Sequence, residues 1–187
     1  MTRSICVGLS SKAMILAYGF MLCSANLALG GESPGDKSSV FRVEEGKHLD
    51  ILRDGQPLVR YMFEFDDSSE DALHRTYKVY HHVFDPSGKA MLTKGAGGQF
   101  THHRGIFIGF RETRHGGDQY DMWHMKDVTI VHQKFLERVA DAESATVTSL
   151  IHWRNPQGVP ILEETRSFTV YFVDNQAHLL ADFVSTL

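Results

Sequence analysis

The chain has 187 residues, a formal charge of −4 at neutral pH and 42% hydrophobic residues, enough for one domain with a real core. Its two cysteines, Cys6 and Cys23, both precede residue 30, so the rest of the chain has no disulfide, thiolate metal ligand or cysteine nucleophile. Beyond that point 17 basic residues (19 less Arg3 and Lys12) face 23 acidic ones without any Lys/Arg cluster, which excludes nucleic acid as an expected partner.

Residues 1–30 read as a signal peptide. Arg3 and Lys12 supply a basic start, Ala13 to Leu22 an apolar run of secretory length, and Ala28-Leu29-Gly30 a small-x-small cleavage site. The mature chain is expected to begin near Gly31 and to be periplasmic or extracellular, with no membrane span once the leader is cleaved. Residues 31–39 (GESPGDKSS) are polar and read as a linker.

From Val40 to Leu187 short alternating runs are broken by turn signals at Glu45-Gly46, Asp54-Gly55, Asp85-Pro86-Ser87-Gly88, Asn155-Pro156-Gln157-Gly158 and Asp174-Asn175. No apolar period of 3.6 is sustained, and β-branched and aromatic residues fill the apolar positions. The expected fold is all-β, an antiparallel β-sandwich over residues 40–187, with one turn of helix at Ser68 to His74. Within it, Ala145 to Arg154 and Val159 to Val173 are expected to form a hairpin through a four-residue turn, setting Trp153 opposite Pro160, Ile151 opposite Leu162, Ser149 opposite Glu164 and Val147 opposite Arg166. That register puts Glu164 and Arg166 on an otherwise apolar face, where they either pair across the sheet or reach its rim, or else line a cleft in which Arg166 binds an anionic or hydroxyl-rich ligand.

The stretch THHRGIFIGFRETRHGGDQYDMWHM, residues 101–125, holds four of the eleven histidines. In regular strand geometry neighbouring side chains face opposite ways, so His102 is expected in the core and His103 over the small residues Gly105 and Gly109. The Gly116-Gly117 turn would let Tyr120, Asp121, Trp123 and His124 fold back toward His103. An aromatic platform with charged side chains around it suits a sugar, which offers apolar C–H faces and many hydroxyls. The candidate set is His103, His124 and Glu164 for acid-base work, with Arg104, Tyr120, Asp121, Trp123, His132 and Arg166 for binding. A second reading is a histidine-rich metalloprotein using His103, His124, His132 and an acidic partner. A third is a binding module without catalysis. No short metal-ligand spacing is present, and no metal or other cofactor is expected.

The blocks THHRGIFIGF, GGDQYDMWHM, HQKF and EETRSFTVY together resemble the secreted bacterial PmoA-like proteins, often labelled "methane oxygenase PmoA". The resemblance runs from about Val40 to the end and implies a galactose-mutarotase-like β-supersandwich whose concave face binds sugars, in bacteria that degrade complex polysaccharides. It does not imply methane oxidation, because the membrane methane monooxygenase subunit is a multi-helix integral protein and this pattern is soluble β. In mutarotase-like enzymes a histidine is the general acid on the ring oxygen and a late carboxylate the base on the anomeric hydroxyl. His103 or His124 fits the first role, and Glu164 would be an orienter or base. If the protein is an enzyme, the resemblance implies an epimerase, lyase or hydrolase. It also implies a longer domain than this chain supplies, so the segment DFVSTL at its end is expected to mark a truncated domain.

Overall fold

The computed structural model describes residues 40–172 and 177–187; the expected leader and linker lie outside them. Two antiparallel four-stranded sheets carry the fold, as the alternation predicts. In the first, β1 (Phe41–Glu44), β2 (His48–Arg53), β3 (Gln56–Met62) and β4 (Tyr80–Val83) lie side by side in chain order. In the second, β7 (Thr129–Ala140), β8 (Ser144–Arg154), β9 (Pro160–Tyr171) and β10 (Leu180–Thr186) form a meander. The helix α1 (Glu70–Thr76) falls between β3 and β4, and between the two sheets in sequence come a long connection from Phe84 to Glu112 and a small hairpin of β5 (Thr113–His115) and β6 (Asp118–Tyr120). Among the described residues no helix is long and apolar enough to cross a membrane.

The sheets meet face to face. Leu49, Ile51, Leu58 and Val59 from the first pack against Ala145, Val147, Phe168 and Val170 from the second, all buried. A second cluster joins Tyr61 to Ile130, Ile151, Trp153 and, from the connections, Tyr77, Val79, Met122 and Met125. Each large apolar side chain buried this way contributes about 1.5–3 kcal/mol.

α1 starts where its sequence allows. The Ser69 hydroxyl accepts the Ala72 N–H, Glu70 and Asp71 occupy the first turn, and His74 and Arg75 the last. This is an N-cap with charges matched to the helix dipole, two residues later than the turn read from Ser68.

The β8–β9 hairpin differs from its expected register by two residues. Asn155 Oδ1 accepts from the N–H groups of Gln157 and Val159, which lengthens the loop by one residue and pairs Arg154 with Pro160. A bulge between Trp153 and Arg154 adds the second, so Trp153 faces Leu162, Ile151 faces Glu164 and Ser149 faces Arg166. A strand's side chains repeat every two residues, so the two offsets together keep the expected faces; either alone would have turned Glu164 and Arg166 outward.

The run Gly105 to Phe110, expected to be a strand, is an irregular segment joined to β4 by a single bridge from Ile106 to His81. Gly105 explains its close approach, since a Cβ there would stand 2.1 Å from the His81 carbonyl oxygen. Only a residue without a side chain lets the two backbones exchange their 2.9 Å hydrogen bonds.

Candidate functional site

Lysine and arginine fix the connection from the inside. Arg104 is 1% exposed, and its guanidinium donates to the carbonyls of Thr101 (3.1 Å), Arg75 (2.7 Å) and His74 while lying 4.2 Å from the centre of the Tyr77 ring. It ties the loop to the end of α1. Lys94 Nζ sits among the carbonyls of Gly95, Gly97, Phe100 and His103, which share its three N–H donors and close the loop on itself. Lys78, also 1% exposed, donates to the His102 carbonyl and stands 3.4 Å from the centre of the Phe107 ring. Burial, then the neighbouring charges of Arg104 and Lys94, pull its ammonium down to about 7.

His102 and His103 ride on this loop. Because they sit in a turn, strand alternation does not separate them, and their rings stand 4.3 Å apart, centre to centre. The Gly116-Gly117 turn, with φ of 59° and 92°, closes β5 on β6, and the chain then enters a turn that holds Asp121 to His124. Asp121 Oδ1 accepts the His124 backbone N–H at 2.8 Å, and Oδ2 lies 2.8 Å from His124 Nδ1. Burial raises the Asp121 carboxyl, but the bonds from the His124 backbone and ring outweigh it and hold it below the usual range. His124 thereby lies 4.7 Å from the His102 ring, and Trp123 lies 5.9 Å from His103 and 5.2 Å from Phe107. Burial, then the proximity of His103 and His124, lowers the His102 pKa.

The result is a surface shelf of three imidazoles and two aromatic rings. Trp123 borders two hollows on it. One, of about 400 Å³, is lined by Thr93, Lys94, His103 and Phe107; the other, of about 640 Å³, by Phe110, Arg111, Glu112 and His124. With Asp121 on Nδ1, His124 presents Nε2 outward as a proton donor or acceptor.

Four of the nine candidate residues therefore converge: His103, Asp121, Trp123 and His124. Of the other five, four stand elsewhere and Arg104 lines one hollow while bonded to the loop, each for a physical reason. Arg104 reaches the smaller hollow, but its donors are spent on carbonyls, so it positions the loop. Tyr120 packs against the core and sets its hydroxyl 3.3 Å from Asp118. His132 lies between the sheets with Phe63 and Phe135, its Nδ1 hydrogen-bonded to the Tyr61 hydroxyl at 3.3 Å, and burial lowers it to about 4.

Glu164 and Arg166, expected to share a cleft with the histidines, are instead interior partners, 0% and 2% exposed. Glu164 Oε1 accepts from Arg166 Nε at 2.7 Å and Ser185 at 2.8 Å, and Oε2 from Arg166 Nη2 at 2.9 Å and the Trp153 indole at 2.8 Å. A buried carboxylate with four donors is fully committed. Nearby, His81 is stacked between Tyr61 and Phe168 at 4.7 and 4.5 Å, and burial, with the Arg166 charge, holds it well below the ordinary value.

Sequence reasoning missed His102, Phe107, Lys78 and Lys94. The signal for His102 was its neighbour: a histidine pair in a turn rather than a strand can act together. For Lys78, in the apolar-rich run TYKVY, the signal was a charge inside a segment that had to be buried. Among the described residues no group of three or more His, Cys, Asp or Glu side chains is arranged to hold a metal ion.

Comparison with curated proteins finds no match, and comparison with solved structures finds none. Residues 48–187, from the first residue of β2 onward, do match a family model, so they take in three strands of the first sheet, all of the second and the whole shelf. The chain belongs to the family of unknown function DUF6807.

Proposed function

We propose that the protein is exported and binds a carbohydrate on the shelf of His102, His103, Phe107, Trp123 and His124. One observation carries this reading: an imidazole oriented by a carboxylate, His124 on Asp121, stands beside a tryptophan that borders two hollows. A sugar ring stacks its C–H face on an indole and offers hydroxyls at its rim, where imidazoles donate or accept. Two hollows about one platform suit consecutive rings of a chain. The resemblance to PmoA-like proteins and to mutarotase-like sandwiches supports the same ligand class.

If a reaction follows binding, His124 is its general acid or base and the reaction is an epimerisation, elimination or hydrolysis. Glu164 is not the second catalytic group, because its four hydrogen bonds leave no free lone pair facing the shelf. Calorimetric titration against a panel of plant and algal oligosaccharides tests the reading. Binding that Trp123→Ala abolishes and His124→Ala weakens is the expected result. Failure of every oligosaccharide at millimolar concentration, or binding indifferent to Trp123→Ala, would refute it.

A further inference from the structure

The chain as a whole is acidic, yet the ground beneath the shelf is not. Lys78, Lys94 and Arg104 are close enough for the last two to depress the first, and among the described residues none of the three forms an ion pair with a carboxylate. Their hydrogen bonds go to backbone carbonyls, which satisfy donors without cancelling net charge. Lys94 and Arg104 line the smaller hollow, Lys78 lies against the Phe107 ring that walls it, and no acidic residue lines it; Glu112 borders only the other one. Two buried cations and one exposed one, gathered without a counterion against an aromatic wall, are a field prepared for negative charge.

We infer that the sugar held on this shelf carries an oxyanion, a carboxylate or a sulfate, seated in the hollow between Lys94, His103 and Trp123. The inference rests on the carbohydrate reading and adds the charge of the ligand. His103, exposed at the rim, is the direct donor. Lys94 and Arg104 already donate to loop carbonyls and Lys78 does not line the hollow, so the three act chiefly through space. Electrostatic complementarity of this kind selects among ligands of similar shape more than it adds raw affinity. The Trp123 platform then fixes the ring while the charge decides which ring is accepted.

Lys78 gives the idea a distinctive readout. Its ammonium, at about 7, is only partly protonated at neutral pH. An anion seated in the hollow, across the Phe107 ring from Lys78, favours the charged form, so binding draws in a proton.

The test is calorimetry on the full chain with three sets of oligosaccharides: uronate-containing, sulfated, and the uronates after reduction of their carboxyl groups to neutral alcohols. Acidic ligands are expected to bind about tenfold more tightly than the reduced ones, to weaken as salt rises, and, at pH 7.5 in buffers of different ionisation enthalpy, to show proton uptake. Whether uronates or sulfated chains bind better names the oxyanion. Lys78→Met is expected to abolish the proton uptake, and Lys94→Gln to reduce the acidic preference. Equal affinity for acidic and neutral ligands would overturn this inference and leave the carbohydrate reading standing. Binding of none would overturn both. Because Lys78→Met and Lys94→Gln could loosen the loop, the wild-type comparison of acidic with reduced ligands decides the matter alone.

Discussion

Asp121 holds His124 twice, through the backbone N–H and through the ring, both at 2.8 Å. One carboxylate therefore fixes where the residue sits and which ring nitrogen faces outward. The expected tautomer has the proton on Nδ1 and a free lone pair on Nε2. Nitrogen-15 NMR of the neutral ring should show a single Nδ1–H species in the wild type and a mixture in Asp121→Asn, which can donate to or accept from the ring. Asp121→Ala should cost about 1 kcal/mol in unfolding free energy through the unpaired N–H as well. An unchanged nitrogen spectrum in Asp121→Asn would mean that the carboxylate does not set the tautomer.

The Glu164–Arg166 pair makes a stability prediction of opposite character. Glu164→Ala leaves a guanidinium, a Trp153 indole N–H and a Ser185 hydroxyl facing an empty site, and should cost about 3–5 kcal/mol. Adding Arg166→Met should recover much of that loss, because an apolar pair needs no counter-charge. Urea unfolding of both variants measures it. A double variant no better than Glu164→Ala would show that the pair is worth more than its desolvation.

Gly105 should tolerate no side chain. Gly105→Ala sets a Cβ against the His81 carbonyl oxygen and should cost on the order of 3 kcal/mol or lift the loop away from β4. Hydrogen exchange separates the outcomes: a lifted loop exposes the Ile106 and His81 amides while the β8–β9 amides stay protected.

Stability should fall on mild acidification. His132 is lowered to about 4 by burial, and His81 is held well below its ordinary value by burial and by the Arg166 charge, against an ordinary histidine value of about 6.5. The unfolded chain accepts protons that the folded chain refuses, so stability is fully present above about pH 6.5 and is lost as pH falls toward about 4. His132→Phe, which suits the company of Phe63 and Phe135, should flatten part of this slope. The remainder at lower pH includes Asp50, whose carboxyl is raised by burial but lowered more by its bonds to Arg60 and Arg42. Urea midpoints at pH 7.5 and 4.5 for wild type and His132→Phe give the comparison.

Much of the fold was legible because local chemistry decided it. Ser69 before Glu70-Asp71, Asn155 before Gly158 and Gly116-Gly117 each mark a boundary with a backbone reason, and alternation through β8 and β9 identified the buried face. The need of Glu164 and Arg166 for partners was also readable. That the two could pair with each other was readable as well, but their further partners were not: Ser185 lies on β10 and the Trp153 indole on β8, and only strand pairing brings them together. The site was less legible because it stands on irregular chain. Alternation assigned His102 to the core on the premise of a strand, whereas three cations bonded to loop carbonyls hold residues 94–105 in another shape. Nothing in sequence spacing announces a lysine whose partners are peptide oxygens.

The chain has two tryptophans, and the fold gives them separate work. Trp153 is 0% exposed and bonded to Glu164; Trp123 is half-buried at the rim of both hollows. The protein thus carries a built-in pair of optical probes, one reporting the integrity of the interior and one the occupancy of the surface. Iodide should quench only the second, and ligand should shield it. A single fluorescence titration can then tell a variant that has lost its ligand from one that has lost its core.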